Sequence, residues 1–225
     1  MPVNDETKTL TDRLATQDSG LETWLWLPLL RLLASGGPVD IADLAAATGR
    51  PAEEVRQALA AVPDTEYDGS GRIIGQGLTQ RSTPHRFEVD GAQLYTWCAL
   101  DTLIFPILLD TAATIESTSP TSGQTIRVTV TPDRVTSVEP ATAVVSLVNP
   151  ADTSSVRSAF CNQVHYFASA EDARPWLDRH PDAEVTAVKD AYRLAVAMTT
   201  NMLDEHTPVG HDIPRDTTGQ DPRCC

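Results

Sequence analysis

Apolar residues near the start of the chain recur at the spacing of short amphipathic helices, and prolines and glycines interrupt them. Proline suits the first turn of a helix, aspartate its N-cap and glycine its C-terminal end. These signals predict three helices: residues 28–35 starting at Pro28, a second from the N-cap Asp40 to Gly49, and residues 51–60 starting at Pro51. Short helices joined by a glycine-containing turn are typical of a helix-turn-helix.

Alternating residues and glycine turns between residues 68 and 91 predict a β-wing after these helices. From Gln93 we predict a helix through Trp97 and Cys98 toward Phe105, where the following proline removes a backbone donor. Turn signals then separate four predicted strands, at residues 112–117, 126–131, 135–138 and 143–148. The remaining predicted elements are a short helix from 149 to about 160, a strand at 164–167, a helix from the cap Ser169 to about 180, a strand at 185–188 and an amphipathic helix at 189–203.

This order of elements predicts an α+β fold, in which an N-terminal winged-helix-like helical domain precedes a mixed core of antiparallel strands and helices. We place the winged-helix-like domain at residues 1–80 and the α+β domain at 81–206. Residues 207–225 are rich in proline, glycine, aspartate and threonine, so we expect a flexible tail there.

Charge argues against a nucleic-acid partner. The formal net charge is −14, and the segment between Gly36 and Val62 carries four acidic residues against two arginines. Phosphates would repel Glu53 and Glu54 on the second helix of the helix-turn-helix. We therefore expect the module to act as a lid or packing surface rather than as a DNA reader.

The sequence also indicates the cellular compartment of the protein. No run approaches the ~18 uninterrupted apolar residues of a transmembrane helix, and the first residues lack the features of a signal peptide. We expect a cytoplasmic protein with no membrane partner. Four cysteines in 225 residues are too few for a disulfide scaffold, so we interpret them as thiols, metal ligands or catalytic groups.

The candidate chemistry lies around two distant cysteines. Cys98 and Asp101 are three residues apart, a spacing that places two side chains on one face of a helix. A carboxylate beside a thiol can take the proton from sulfur and pass it on. A second thiol, from Cys161, would complete a two-sulfur site for a soft metal. The same cysteines also fit an ordinary core, in which free cysteine packs as a small hydrophobic residue.

Two blocks of sequence surround these cysteines: LYTWCALDTLIFP at 94–106 and FCNQVHYFAS at 160–169. Shorter runs occur at 77–79 (GLT), 87–90 (FEVD), 138–140 (VEP) and 145–148 (VSLV). Together these runs resemble the organomercurial lyase (alkylmercury lyase) family over roughly residues 25 to 200. The two longer blocks are highly specific.

The resemblance implies that Cys98, Asp101 and Cys161 are the catalytic residues, here called the trio. It implies an enzyme that cleaves a carbon–mercury bond by protonolysis, giving a hydrocarbon and Hg(II). Two cysteine thiolates would hold the Hg(II), with the aspartate as proton shuttle and additional candidate ligand. No organic cofactor or structural metal is implied. The implied partners are the organomercurial substrate, small thiols that assist release, and mercuric reductase as Hg(II) acceptor.

The chain departs from the family pattern in three places. Asn162 stands where some relatives have a second cysteine, and another family cysteine corresponds to Ser119 or a neighbour. Neither position belongs to the trio. The terminal pair Cys224-Cys225 is not part of the pattern; it is either an incidental tail or a relay that receives Hg(II) from the trio and passes it on.

Other functions fit some of the same residues. The trio together with His165 is a candidate zinc or copper site, although a lone histidine is more often part of a core. A disulfide between the two trio cysteines would suit a thiol oxidoreductase, but the chain lacks Cys-x-x-Cys. A transcriptional regulator is disfavoured by charge. Trp97 and Tyr95 either line a substrate pocket or pack in the core.

Overall fold

Helices and antiparallel strands are mixed along the chain, as a computed structural model shows for residues 22–148 and 156–204. The helices are α1 Thr23–Ala34, α2 Ile41–Thr48, α3 Ala52–Ala61, α4 Asp101–Leu109, α5 Val156–Ala159, α6 Ala170–Leu177 and α7 Val188–Asp204, with a 3-10 helix at Cys161–Gln163. The strands are β1 Glu66–Tyr67, β2 Ile73–Gln76, β3 Leu78–Thr79, β4 His85–Val89, β5 Ala92–Thr96, β6 Ala113–Thr118, β7 Thr125–Thr131, β8 Arg134–Glu139, β9 Val144–Leu147, β10 Tyr166–Phe167 and β11 Glu184–Ala187.

The strands form two antiparallel sheets. The larger has eight strands in the order β1-β2-β3-β5-β4-β6-β7-β8, and the smaller has the order β10-β9-β11. The predicted α+β class is therefore confirmed. Leu78 pairs with Thr96, so β3 joins the wing to β5 within one sheet. Strands from both sides of residue 80 thus belong to the same sheet, and the proposed domain boundary stays a prediction.

The larger of two hydrophobic clusters among the described residues extends from the N-terminal helices into the larger sheet. Helix α1 buries Leu25, Leu29 and Leu33 and packs against β2, β3 and α4. Phe105 of α4 makes an edge contact with Trp26 of α1, with ring centroids 6.2 Å apart. It makes a second edge contact, with Phe87 of β4, at 6.3 Å. Helix α4 therefore lies between the N-terminal module and the sheet.

The first predicted helix is longer than its sequence signals indicated. It begins at Thr23, not at Pro28, and continues to Ala34 with the proline inside it. Proline in the middle of this helix costs one helical hydrogen bond. The buried leucine face on either side of Pro28 offsets that loss.

The predicted helix from Gln93 to Phe105 is wrong in its first half. Residues 92–96 form β5, which pairs along its whole length with β4. Asp90 and Gly91 have φ of +47° and +78° and make the turn that joins these strands. The helix begins only at Asp101 and continues through Pro106 to Leu109. Strand pairing with β4, a contact the local sequence does not reveal, decides the conformation of this segment.

The other predicted elements are confirmed with small shifts at their ends. Gly49 ends α2 in the left-handed conformation, with φ +67°, and the Ser169 hydroxyl caps α6 by accepting from the backbone N–H of Asp172. Asp40 is at the N-cap of α2, but its side chain makes no capping bond. Predictions for the start of the helix at 149 and for the tail at 207–225 lie outside the described residues.

The helix-turn-helix pairs its own charges. Arg50 forms an ion pair with Glu54, and Arg56 pairs with Glu53 at 3.2 Å. Both arginines counted in the sequence are thus already opposed by carboxylates on α3, which agrees with the expectation that nucleic acid is not the partner. That expectation stays a prediction. Among the described residues, no helix has the length and apolar character needed to cross a bilayer.

Gly77 provides a test of how the sheet meets α4. Its φ is +79°, and a Cβ there would lie 2.9 Å from Cζ of Phe105. We expect Gly77→Ala to lower the free energy of unfolding by about 1–2 kcal/mol for the left-handed backbone and by roughly 1–3 kcal/mol more for the clash. Urea unfolding measures both terms together.

Gly91→Ala is the matched control. Gly91 has nearly the same φ, +78°, but no atom lies within 4 Å of its added Cβ. It should lose only the backbone contribution. Equal losses in the two variants would contradict the proposed contact with Phe105.

Candidate active site

Three chemically reactive side chains meet in the folded chain. The sulfurs of Cys98 and Cys161 and a carboxylate oxygen of Asp101 all lie within 4.8 Å of one another. Within residues 22–148 and 156–204, this is the one group of three or more cysteine, histidine or acidic residues arranged to hold a metal ion. Both cysteines are free thiols and are buried. The structure thus brings together all three residues of the trio.

A turn, not a helix face, brings Cys98 next to Asp101. Cys98 lies between the end of β5 and the start of α4, and Asp101 is the first residue of α4. The Asp101 carboxylate accepts a hydrogen bond from the backbone N–H of Cys98 at 3.0 Å. The Thr96 hydroxyl donates to the Cys98 carbonyl at 2.8 Å. The predicted proximity is therefore correct, although the helical geometry behind it is wrong.

Cys161 comes from a separate segment, at the start of the 3-10 helix that follows α5. The N–H of Val164 donates back to the Cys161 carbonyl at 3.2 Å. The carbonyl of Val164 accepts from the N–H of Ala99 at 3.1 Å. This backbone bond joins the turn of one cysteine directly to the segment of the other.

Burial controls the protonation of Cys98 and Asp101. It raises the pKa of Cys98 well above its ordinary value, and the hydrogen bond donated to Cys161 and the Asp101 charge raise it further. Burial also raises the pKa of Asp101 to about 7, although the neighbouring Cys98 thiol and the hydrogen bond from the Cys98 backbone N–H lower it. Asp101 keeps part of its surface accessible. Its carboxyl group can therefore gain or lose a proton near neutral pH.

The surroundings of Cys161 shift the pKa of its thiol in opposite directions. The hydrogen bond that it accepts from Cys98 lowers its pKa, but burial and the negative charges of Asp101 and Asp64 raise it. The net pKa is above the ordinary value, even though the positive charge of Arg157 lowers it. Both sulfurs therefore rest as thiols until something replaces their protons.

Trp97 borders the site through contacts that the sequence did not reveal. The Arg157 guanidinium lies 4.6 Å from the centre of the Trp97 ring, and it forms an ion pair with the buried carboxylate of Glu66. The Thr79 hydroxyl also donates to Glu66. Glu66 belongs to the wing, so the N-terminal module holds the arginine that stands beside Cys161. No motif marks this pair, because 91 residues separate its members.

Two other candidates lie away from the trio. The His165 ring faces His85 at 6.4 Å, Phe167 at 6.3 Å and Trp176 at 6.2 Å, measured between ring centroids. Burial lowers its pKa, as expected for a core histidine. His165 is not among the side chains that meet at the trio, so the four-residue zinc or copper site is not assembled. Tyr95 is half-buried and alternates with Leu94 and Thr96 along β5, so it points to the opposite face of the sheet.

The positions that depart from the family pattern have ordinary structural surroundings. The Ser119 hydroxyl donates to the Asp172 carboxylate at 2.7 Å. Asn162 is exposed on the 3-10 helix directly after Cys161. Cys224 and Cys225 lie outside the described residues.

Comparisons with known proteins cover most of the chain. A family model described as alkylmercury lyase matches residues 78–200, and the helix-turn-helix domain of alkylmercury lyase matches residues 6–77. The alkylmercury lyase of Streptomyces lividans is 53% identical over 213 residues, covering 92% of this chain and 99% of that protein. The Staphylococcus epidermidis enzyme of the same name is 56% identical over 171 residues, covering 76% and 79%.

The fold also has a solved counterpart. The crystal structure of the mercury-bound form of MerB2 superposes with a TM-score of 0.70, covering 89% of this chain and 100% of that one. At 23% identity this likeness concerns the fold alone.

The raised pKa of Asp101 predicts a pH dependence of stability. In the unfolded chain this carboxyl ionises near pH 4, but in the folded protein it keeps its proton until about pH 7. Its contribution is therefore fully present below about pH 4 and is lost as pH rises through 7, by roughly 2–4 kcal/mol. Asp101→Asn does not titrate, so the stability of the wild type relative to this variant should fall between pH 4 and pH 7.

Urea unfolding of both proteins at each pH measures this difference. Asp90→Asn is the control, because Asp90 is exposed and its φ of +47° suits asparagine. Its difference from the wild type should not follow the same course. A difference between wild type and Asp101→Asn that stays constant with pH would contradict the prediction.

Proposed function

Because this chain belongs to the alkylmercury lyase family and is an enzyme of that kind, we propose that the trio carries out protonolysis of a carbon–mercury bond. The observation that supports this most directly is the approach of two thiols and one carboxyl to within 4.8 Å. Thiolates are the ligands that soft metals prefer, and mercury is such a metal. A carboxyl group with a pKa of about 7 is suited to proton transfer near neutral pH.

In the first step an organomercurial carried by a small thiol exchanges its sulfur ligand. The sulfur of one trio cysteine forms a bond to mercury, and the bond to the small thiol breaks. The proton of the cysteine leaves with the departing small thiol. No net charge enters the site, which suits a buried position where isolated ions are costly.

In the second step the other thiol binds the same mercury atom, and its proton moves to the Asp101 carboxylate. The raised pKa of Asp101 favours this transfer, because burial opposes the ionised carboxyl. Two thiolates increase the electron density on mercury and give the attached carbon carbanion character. The sequence of thiol attack is left open, since both cysteines are buried to a similar degree.

In the last step Asp101 donates its proton to the carbon. The electron pair of the carbon–mercury bond takes the proton, the bond breaks, and the hydrocarbon leaves. Hg(II) stays with the two thiolates, and Asp101 returns to the carboxylate form. A general acid held this close contributes ~10²–10⁴-fold to the rate.

Release of Hg(II) completes the cycle. We assign it to small thiols that exchange with the trio cysteines, and then to mercuric reductase as acceptor. No organic cofactor enters this scheme. A reducing cytoplasm fits it, because the reaction needs both buried cysteines as free thiols.

The trio makes a direct prediction for catalysis. Asp101→Asn keeps the acceptor for the Cys98 N–H but carries no transferable carboxyl proton. It should retain Hg(II) binding and lose methane release from methylmercury. Cys98→Ser and Cys161→Ser should lose methane release as well, because a serine hydroxyl is a poor ligand for soft mercury. Gas chromatography of methane in the presence of excess small thiol measures cleavage.

Asp90→Asn is the control for charge and should cleave like the wild type. Methane release by Asp101→Asn at the wild-type rate would exclude the proton-shuttle role. Wild-type cleavage by either cysteine variant would exclude the two-thiolate site.

We propose that the terminal pair Cys224-Cys225 receives Hg(II) from the trio and passes it on to the acceptor. Deleting residues 222–225, or replacing both cysteines by serine, should slow Hg(II) transfer to a mercuric reductase and leave methane release unchanged. Reductase turnover with the lyase as the Hg(II) source measures transfer. Unchanged transfer in both variants would show that the pair is not a relay.

A further inference from the structure

Two buried hydroxyl groups, those of Thr102 and Tyr166, are hydrogen-bonded to each other and take no part in the proton transfers described above. The Thr102 hydroxyl donates to the Ala99 carbonyl at 2.7 Å, and it lies 2.8 Å from the phenolic oxygen of Tyr166. Thr102 and Tyr166 are both fully buried. A buried hydroxyl without a hydrogen-bond partner destabilises the folded protein, so removing either member of this pair should have a measurable effect.

The direction of these hydrogen bonds follows from counting protons. A threonine hydroxyl has one proton, and Thr102 uses it to bond the Ala99 carbonyl. Its oxygen must therefore accept from Tyr166, whose O–H is the donor. The Tyr166 hydroxyl therefore donates to Thr102, and the Thr102 hydroxyl donates to the Ala99 carbonyl.

These two hydrogen bonds connect the segments that carry the two cysteines. Ala99 directly follows Cys98, and its N–H bonds to Val164 at 3.1 Å. Tyr166 is two residues beyond Val164, on β10, which pairs with β9. The turn of Cys98 is therefore held at Ala99 by two routes, one through backbone and one through the hydroxyl pair. Both routes lead to the segment that follows Cys161, at Val164 and at Tyr166.

We propose that Thr102 and Tyr166 are positioning residues, which hold the sulfur of Cys98 at the distance from Cys161 that two-thiolate coordination of mercury requires. Tyr166 contacts no member of the trio through a hydrogen bond of its hydroxyl; it acts through Thr102 and Ala99. A misplacement of about 1 Å in a reacting group can cost 10²-fold in rate. Loss of this hydrogen bonding should impair the binding of the second thiolate to mercury and the cleavage step, and should leave substrate entry unchanged.

This inference rests on the proposed function, and the experiment separates the two. Four variants are compared: Thr102→Val, Thr102→Ser, Tyr166→Phe and the double variant with valine and phenylalanine. Three experiments are carried out on each: steady-state kinetics with methylmercury, which give kcat and KM; Hg(II) binding in competition with a small thiol; and urea unfolding. If the wild type releases no methane, the proposed function fails, while the Hg(II) affinities still test the positioning role.

Thr102→Val should lower kcat by about tenfold or more, with KM nearly unchanged, and should weaken Hg(II) binding by a similar factor. Thr102→Ser keeps the hydroxyl and should retain near wild-type values. Tyr166→Phe keeps the bond from Thr102 to Ala99, so its loss in kcat should be smaller, about threefold.

The double variant separates positioning from stability. Thr102→Val alone leaves the Tyr166 hydroxyl buried without an acceptor, and removing that hydroxyl as well should restore part of the stability. The Ala99 carbonyl stays unbonded to a hydroxyl, so kcat and Hg(II) affinity should stay low. Recovery of activity together with stability would reduce the pair to a structural role and overturn the proposal.

Thr199→Val is the matched control. Thr199 is also buried and its hydroxyl also bonds a backbone carbonyl, that of Ala195 at 3.0 Å within α7. It should lose stability and keep kcat and Hg(II) affinity. If Thr102→Val does not fold, Tyr166→Phe decides: a lower kcat at unchanged KM supports the proposal, and wild-type kcat overturns it. Wild-type kcat in Thr102→Val, or an equal loss in Thr102→Ser, also overturns it.

Discussion

The burial of two thiols against one carboxyl is the constraint on which the rest of this structure depends. Ionised groups are costly away from water, so both sulfurs keep their protons and the carboxyl ionises only near pH 7. The same condition suits the chemistry proposed for the trio. In the proposed reaction mercury replaces both thiol protons: one leaves with the small thiol, and the other passes to the Asp101 carboxylate. A polar, open site would gain no such advantage from exchanging protons for mercury.

Several separate parts of the chain hold this arrangement in place. The carbonyl of Gly77, between β2 and β3, accepts the N–H of Trp97 at 2.9 Å. The wing also supplies Glu66, which pairs with Arg157 beside the Trp97 ring. The N-terminal module is therefore part of the structure around the site, consistent with the packing role that its acidic helices indicated. Both arginines of the helix-turn-helix are paired with its own carboxylates, and its buried face continues into the sheet, as expected for a packing surface rather than a DNA reader.

Local patterns predicted the conformation of most segments and failed where a distant contact decided it. Gly49 and Ser169 carry their own signals, a left-handed C-cap and a side-chain N-cap, and both ended or started helices as expected. Residues 92–96 carry no comparable signal. Their conformation depends on pairing with β4, so the helix predicted from Gln93 was wrong although its second half was correct. Pro28 was misleading for the same reason, since packing of the leucine face outweighs one lost hydrogen bond.

The sequence by itself determined which residues are proposed to carry the chemistry, because the chain has only four cysteines and the blocks around Cys98 and Cys161 are specific enough to be recognised without coordinates. It also determined the fold class, since the periods of helices and strands are local properties. Tertiary structure alone decided that Cys161 meets Cys98, that burial raises the pKa of Asp101 to about 7, and that Thr102, Tyr166, Glu66 and Arg157 support the site. Those properties arise from contacts between segments up to 91 residues apart, and no local pattern encodes such a distance.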